Sequence, residues 1–166
     1  MVDVAKLNRM TINEVRANFT RCCGSQRWVE GMIARWPFKS SDALLTAAED
    51  EFQRLNRADW LEAFAAHPKI GDFQSLKQKF ASTAALCSAE QAGAQGADDQ
   101  VLQALADGNR DYETKFGHIF IVCASGKSAA QMLSILLSRL NNDATFELSI
   151  AAQEQAKITR LRLEKL

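Results

Sequence analysis

Proline and histidine are scarce in this 166-residue chain, with two of each, and glycine appears only eight times. Few prolines and glycines leave few obligatory backbone breaks, so long helices are permitted almost everywhere. The four cysteines, Cys22, Cys23, Cys87 and Cys123, form no C-x-x-C pair. With so few histidines beside them, a zinc site lacks ligands at workable spacing. Adjacent Cys22 and Cys23 are poorly placed to bridge each other, so the expectation is four reduced thiols in a cytoplasmic protein. Charge of either sign is not in excess: twenty basic residues balance twenty acidic ones. That argues against the electrostatic footprint of a nucleic-acid partner or an anionic membrane. No apolar run reaches membrane-spanning length. The opening Met1-Val2-Asp3-Val4-Ala5-Lys6 lacks the order of charge, apolar core and cleavage site that marks a signal peptide.

What is present is a soluble composition, 47% hydrophobic and 24% charged. It suits one domain over residues 1–166 with a core of its own. Thr11-x-x-Glu14 has capping-box spacing, and Ile12, Val15 and Phe19 follow at helical intervals. Cys22-Cys23-Gly24-Ser25 breaks that helix. Ser25 is placed to cap the next, with Trp28, Met32, Ile33 and Trp36 on one face, and Trp36-Pro37-Phe38 stops it. Ser41 is the expected cap of a third helix carrying Leu44, Leu45, Ala48, Phe52 and Leu55. Asp59-x-x-Glu62 is the expected start of a short helix ending near Ala66. A polar helix or turn follows over 73–80, then Ser88-Ala89-Glu90-Gln91 with capping-box spacing. Gly93 and Gly96 suggest a loop, with Asp98 capping a long helix through Tyr112 and Phe116. Two final helices carry Met132, Leu133, Leu136 and Leu140, then Phe146, Ile150, Ile158 and Leu161, separated by the turn Asn141-Asn142-Asp143. Between the long helix and these, residues 117–124 are rich in branched and aromatic side chains without helical period, and read as a buried extended segment. The expected architecture is all-α, about eight helices around one extended strand-like piece. A lone strand has no sheet to join and must be clasped by helices.

Several residues have the chemistry of a site. In His67-Pro68-Lys69-Ile70-Gly71-Asp72, Pro68 fixes its own backbone and pushes His67 out of the helical region. A helix end followed by a rigid turn presents an imidazole at a fixed angle, and histidine exchanges a proton near neutral pH. The structural alternative is a histidine that merely closes a helix. Glu90 and Gln91 offer a carboxylate and an amide at a helix start, or else are ordinary first-turn residues, with Gln91 closing a box onto Ser88. The main chain of Phe120, Ile121, Val122, Cys123 and Ala124 must pair its N–H and C=O groups with something, and a flat heterocycle with amide edges would fit. Ser125-Gly126-Lys127-Ser128 resembles part of a phosphate loop. The full pattern needs glycine where Ile121 stands, so only a helix N-terminus able to hold an anion survives. His118 lies inside the apolar run and reads as structural. Of Arg139, Arg160 and Arg162, any that turns inward would bind a carboxylate in a bidentate way.

Taken together, these pieces resemble the 2-oxo-4-hydroxy-4-carboxy-5-ureidoimidazoline (OHCU) decarboxylase family. The matching residues are Phe19 with Cys22-Cys23-Gly24-Ser25 and Trp28, His67-Pro68-Lys69-Ile70-Gly71, Ser88-x-Glu90-Gln91, and Asn109-x-x-Tyr112 with Phe116-Gly117. Phe120-Ile121-Val122, Arg139-Leu140-x-Asn142, and Glu147 leading to 157–163 complete the set, in order along nearly the whole chain. The resemblance implies an all-α fold, a homodimer, no cofactor, and decarboxylation of OHCU to (S)-allantoin at the end of urate breakdown. It places the catalytic residues on His67, Glu90 and Arg162, with Arg160 as the neighbour that competes for the arginine's role. Substrate contacts fall on Pro68, Ser88, Gln91 and the segment from Phe120 through Ile121, Val122 and Cys123 to Ala124. His118 departs from the aromatic residue more usual there. A helical module that binds a purine-like ring without chemistry is the alternative from another class.

Overall fold

The short apolar stripes of the sequence become helices wherever a polar side chain can cap them. The computed structural model describes residues 2–69, 71–84 and 94–166. Among these there are nine α-helices and no strand: α1 (Val4–Asn8), α2 (Ile12–Cys22), α3 (Gln26–Arg35), α4 (Ser41–Gln53), α5 (Arg57–Ala65), α6 (Phe73–Ala84), α7 (Ala94–Phe116), α8 (Ala129–Arg139) and α9 (Ala144–Leu163). The expected all-α class stands, with α1 as an addition too short to show a period.

The local signals worked where one residue alone could serve as cap. Thr11 and Glu14 close their capping box, the Glu14 carboxylate accepting the Thr11 N–H at 2.7 Å. Ser25 caps α3 and Ser128 caps α8, the latter boxed with Gln131. Three starts differ from expectation. The cap of α4 is Ser40, one residue before Ser41, because Ser40 adopts the extended backbone and accepts from Ala43. Asp59 is not the first residue of α5: Asn56 is the cap, and Asp59 is its capping-box partner three positions on. The long helix α7 begins at Ala94, so it runs through Gly96 and past Asp98.

The chain forms two compact units, one of Met1–His67 with Ile150–Leu166, the other of Pro68–Ser149. In the first, α3 packs on α2, α4 and α5. Its core gathers Phe19, Trp28, Met32, Leu44, Ala63 and Leu163, all essentially without solvent exposure. Phe19 meets Trp28 edge-on at 6.0 Å, and the Trp28 indole donates to the Ala48 carbonyl at 3.0 Å, so the largest buried side chain also has its polar atom satisfied. In the second unit α7 packs on α6 and α8 around Leu76, Leu105, Tyr112, Met132 and Leu136. Helix α9 starts in the second unit and continues into the first.

Residues 117–124 are irregular and extended, between Gly117 and Gly126, both at positive φ (75° and 73°), which turn the chain at either end. The side chains alternate: Ile121 and Cys123 are buried, while Phe120, Val122 and Ala124 are half-buried. The segment therefore has a buried edge and a partly accessible edge, where uniform burial was expected.

Gly24, in the break between α2 and α3, packs against the residue before His67: a Cβ placed on it would collide with the Cβ of Ala66. Gly24→Ala is therefore expected to lower stability by about 1–3 kcal/mol, the usual cost of overpacking. Denaturant unfolding measures it, and an unchanged midpoint would contradict this close approach.

Candidate active site

In the first unit, His67 sits one residue past the C-cap of α5, where its N–H donates to the Phe64 carbonyl at 3.1 Å and Pro68 prevents the helix from going on. The ring is half-buried, and its Nε2 lies 2.6 Å from Oε1 of Gln155 on α9. Gln155 is fully buried. Its own amide nitrogen donates to Thr159 Oγ1 at 3.2 Å, while the Thr159 hydroxyl donates to the Gln155 carbonyl at 2.9 Å. Burial lowers the pKa of His67 below its ordinary value. The Gln155 hydrogen bond works against this, and the positive charge of Arg162 adds to the lowering. Burial and Arg162 thus both disfavour the imidazolium.

Arg162 is near enough for its charge to be felt at His67, Cys22 and Cys23. Its Nη1 donates to the carbonyls of Arg21 and Cys22, 3.0 and 3.4 Å away, at the C-terminal end of α2, where unpaired carbonyls favour a cation. Among the described residues no carboxylate pairs with it. Arg160 differs: it is exposed and pairs with Glu49 and Glu164. The thiols beside Arg162 are inert, burial pushing Cys22 up to about 12 and raising Cys23 as well.

In the second unit, the inward arginine is Arg139. It is buried with Glu147 and Tyr112. Its Nε donates to Glu147 Oε1 at 2.7 Å, its Nη2 to the Tyr112 hydroxyl at 3.3 Å, and its Nη1 to the main-chain carbonyl of Ile121 at 2.8 Å. Tyr112 also donates to Glu147, and Asn142 Nδ2 satisfies the second carboxylate oxygen at 2.8 Å. The guanidinium lies 4.7 Å from the centre of the Phe120 ring. The carboxylate this arginine binds is the protein's own, so Arg139 fixes residues 120–121 in place. Lys127 does the same further on, its ammonium donating to the Cys123 carbonyl at 2.7 Å. Among the described residues, no bond reaches the main-chain N–H or C=O of Phe120 or Val122. His118 packs against the Tyr112 and Phe116 rings, and its Nδ1 meets the Ile119 carbonyl at 3.0 Å, which fits a structural part. Pro68 is exposed.

The expected residues Ser88, Glu90 and Gln91 lie outside the described residues. Among the described ones, no three His, Cys, Asp or Glu side chains gather as a metal would require, and no helix is long and apolar enough to cross a membrane. Among the described residues, the partner of His67 that sequence reasoning overlooked is Gln155. Its signal was available: Leu148, Ala152, Gln155, Thr159 and Leu163 share one helical stripe, and two of these five are polar. A glutamine and a threonine on a core-facing stripe ask for a polar partner.

A family model described as OHCU decarboxylase matches residues 8–164. The chain is 43% identical, over 147 residues, to the uric acid degradation bifunctional protein TTL of Arabidopsis thaliana; the match covers 87% of this chain and 45% of that protein, so the chain spans less than half of this relative. It is also similar to a crystal structure of OHCU decarboxylase in the presence of (S)-allantoin, with TM-score 0.70 and 40% identity over 89% of this chain and 94% of the other. A crystal structure of (S)-allantoin synthase shares the fold at TM-score 0.71, with 17% identity, over 99% of this chain and 54% of that one.

Removing the buried arginine tests the second unit's network. Arg139→Met leaves the Glu147 carboxylate buried without its countercharge and is expected to cost about 3–5 kcal/mol. Arg139→Lys, which cannot fork to Glu147 and Ile121 together, should fall between the two. An unfolding midpoint equal to that of the parent chain in both variants would contradict this.

Proposed function

The chain belongs to the OHCU decarboxylase family, and we propose from that membership that it converts OHCU to (S)-allantoin and carbon dioxide, without a cofactor, as the last step of urate degradation in the cytoplasm. The observation that carries the proposal is the imidazole of His67, held at a rigid helix exit against Gln155 and within reach of the charge of Arg162. Decarboxylation breaks one carbon–carbon bond and leaves an electron pair on ring carbon. The pair passes into the adjoining C=N of the substrate, the substrate hydroxyl becomes the ring carbonyl of the product, and one proton is added to carbon. The substrate is its own electron sink, so the protein has to orient it, hold the departing carboxylate and manage protons.

In this reading Arg162 holds the carboxylate that leaves, and His67 removes the hydroxyl proton or delivers the proton to one face. Glu90 takes a ring or ureido N–H, or fixes the protonation of His67. Pro68, Ser88 and Gln91 line the ring. The main-chain groups of Phe120 and Val122, which no bond reaches among the described residues, pair with its amide edges, in the segment with Ile121, Cys123 and Ala124. OHCU decays unaided to racemic allantoin, so the test reads rate and handedness together. Added to freshly made OHCU, the chain should speed its loss and give the (S)-isomer alone. A rate and a racemate equal to those of buffer would instead mean a binding module.

We propose further that the protein is a symmetric homodimer. The support is the family and, of the three large apolar side chains left about half exposed among the described residues, Leu137 on α8 and Phe146 on α9, at 51% and 55%, the third being Ile12 on α2. Light scattering at micromolar concentration should give twice the 18.4 kDa chain mass; the mass of a single chain would refute the dimer.

A further inference from the structure

The hydrogen bonds around Gln155 decide more than its position. The Thr159 hydroxyl has one hydrogen, and it is directed to the Gln155 main-chain carbonyl at 2.9 Å and the Cys23 sulfur, away from the Gln155 side chain. Toward the Gln155 side chain, Thr159 Oγ1 is therefore an acceptor, and the atom facing it at 3.2 Å must be the amide NH2. The other end of the amide, its carbonyl oxygen, is left to face His67 at 2.6 Å. A carbonyl oxygen only accepts, so the ring nitrogen it meets carries a hydrogen. We propose that Gln155 is a positioning residue that locks His67 as the Nε2–H tautomer and so makes Nδ1 the nitrogen that exchanges the proton with substrate. This rests on the reading of His67 as the proton-handling group.

The arrangement suits its position in the fold. Gln155 is fully buried on the same helix face as Leu148 and Leu163, so its amide cannot swing away without burying an unpaired polar group. A neutral amide holds the tautomer without adding charge, whereas a carboxylate in its place would favour the imidazolium. Among the described residues, the charged and titratable groups at this corner are Arg162 on α9, Glu62 on α5, and Arg21, Cys22 and Cys23 at the end of α2. Of these, Arg162 bears on His67, and like burial it disfavours the imidazolium. Glu62 is engaged with the Gln26 N–H at 3.0 Å. The chain His67–Gln155–Thr159 continues to Cys23, whose thiol is hydrogen-bonded to Thr159. The polar residues of the α9 stripe, the reduced cysteine and the histidine are thus one connected set.

Two measurements test this. In the unmodified protein, two-bond proton–nitrogen NMR correlations, with His67 assigned by its loss in His67→Asn, should show Nε2 protonated and Nδ1 bare at neutral pH; the reverse pattern would overturn the proposal without any variant having to fold. Gln155→Met and Gln155→Glu then carry it into catalysis. Loss of the acceptor in Gln155→Met should lower kcat roughly tenfold or more, as removal of an orienting partner does elsewhere, with KM little changed. It should also move the His67 limb of the kcat/KM profile to lower pH. Gln155→Glu restores an acceptor and should recover much of the rate, while moving that limb upward by about one pH unit or more. Folded variants whose limbs do not move would show that Gln155 is packing and nothing else. Failure of the underlying reading looks different: His67→Asn would then keep full activity, whatever the Gln155 variants do.

Discussion

The hydrogen bond between His67 and Gln155 joins the two ends of the first unit's sequence, 88 residues apart, and the chemistry we assign to the chain depends on it. An imidazole at a helix exit is free to rotate and to choose its tautomer. Buried against a fixed amide oxygen it has one orientation, one protonated nitrogen and a lowered tendency to take up charge. Several features of the unit serve that bond. The capping box of Asn56 and Asp59 sets where α5 begins. Pro68 stops the helix. Gly24 lets the α2–α3 break approach Ala66, and Thr159 orients the amide.

The second unit is built around a buried polar cluster of another kind. Arg139, Glu147, Tyr112 and Asn142 satisfy one another, and the remaining guanidinium nitrogen is spent on the Ile121 carbonyl. A buried ion pair gains little net stability over apolar packing, but breaking it is costly, so such clusters fix a geometry more than they stabilise a fold. Here the geometry fixed is that of an extended segment with no neighbouring strand among the described residues. A segment of that kind keeps main-chain groups unspent on secondary structure, a useful property for reading a flat, amide-rich ligand. Several of the residues that carry the family resemblance, Tyr112, Arg139, Asn142 and Glu147, belong to this clasp.

The fold was legible wherever its cause is local. Thr11 and Ser25 each stand alone as possible caps, and each caps. Where two candidates compete the sequence is ambiguous: Ser40 and Ser41 are neighbours with the same side chain, and Asn56 and Asp59 share one box. Helix α7 runs through Gly96, which propensity alone would place in a loop. The position of His67 past a helix was readable because Pro68 imposes it. Its partner was not, because Gln155 meets it through tertiary packing across 88 residues, a relation that no local pattern encodes. The inward arginine was anticipated in kind, but Arg139 takes that place, held by a carboxylate eight residues on. Arg162, unlike Arg160, has no carboxylate partner among the described residues. Ser88, Glu90 and Gln91 lie outside the described residues and stand as assignments from the resemblance.

The central claim is that His67 governs the proton that sets the product's handedness. The most direct measurement is the optical purity of allantoin made by His67→Asn, followed by circular dichroism on freshly prepared OHCU. The variant keeps some hydrogen bonding but cannot move a proton near neutral pH. The expected result is a loss of rate of about 10²–10⁴-fold, the usual worth of general acid–base catalysis, with product drifting toward the racemate. Full rate with pure (S)-allantoin would contradict the claim and reduce His67 to the cap of a helix.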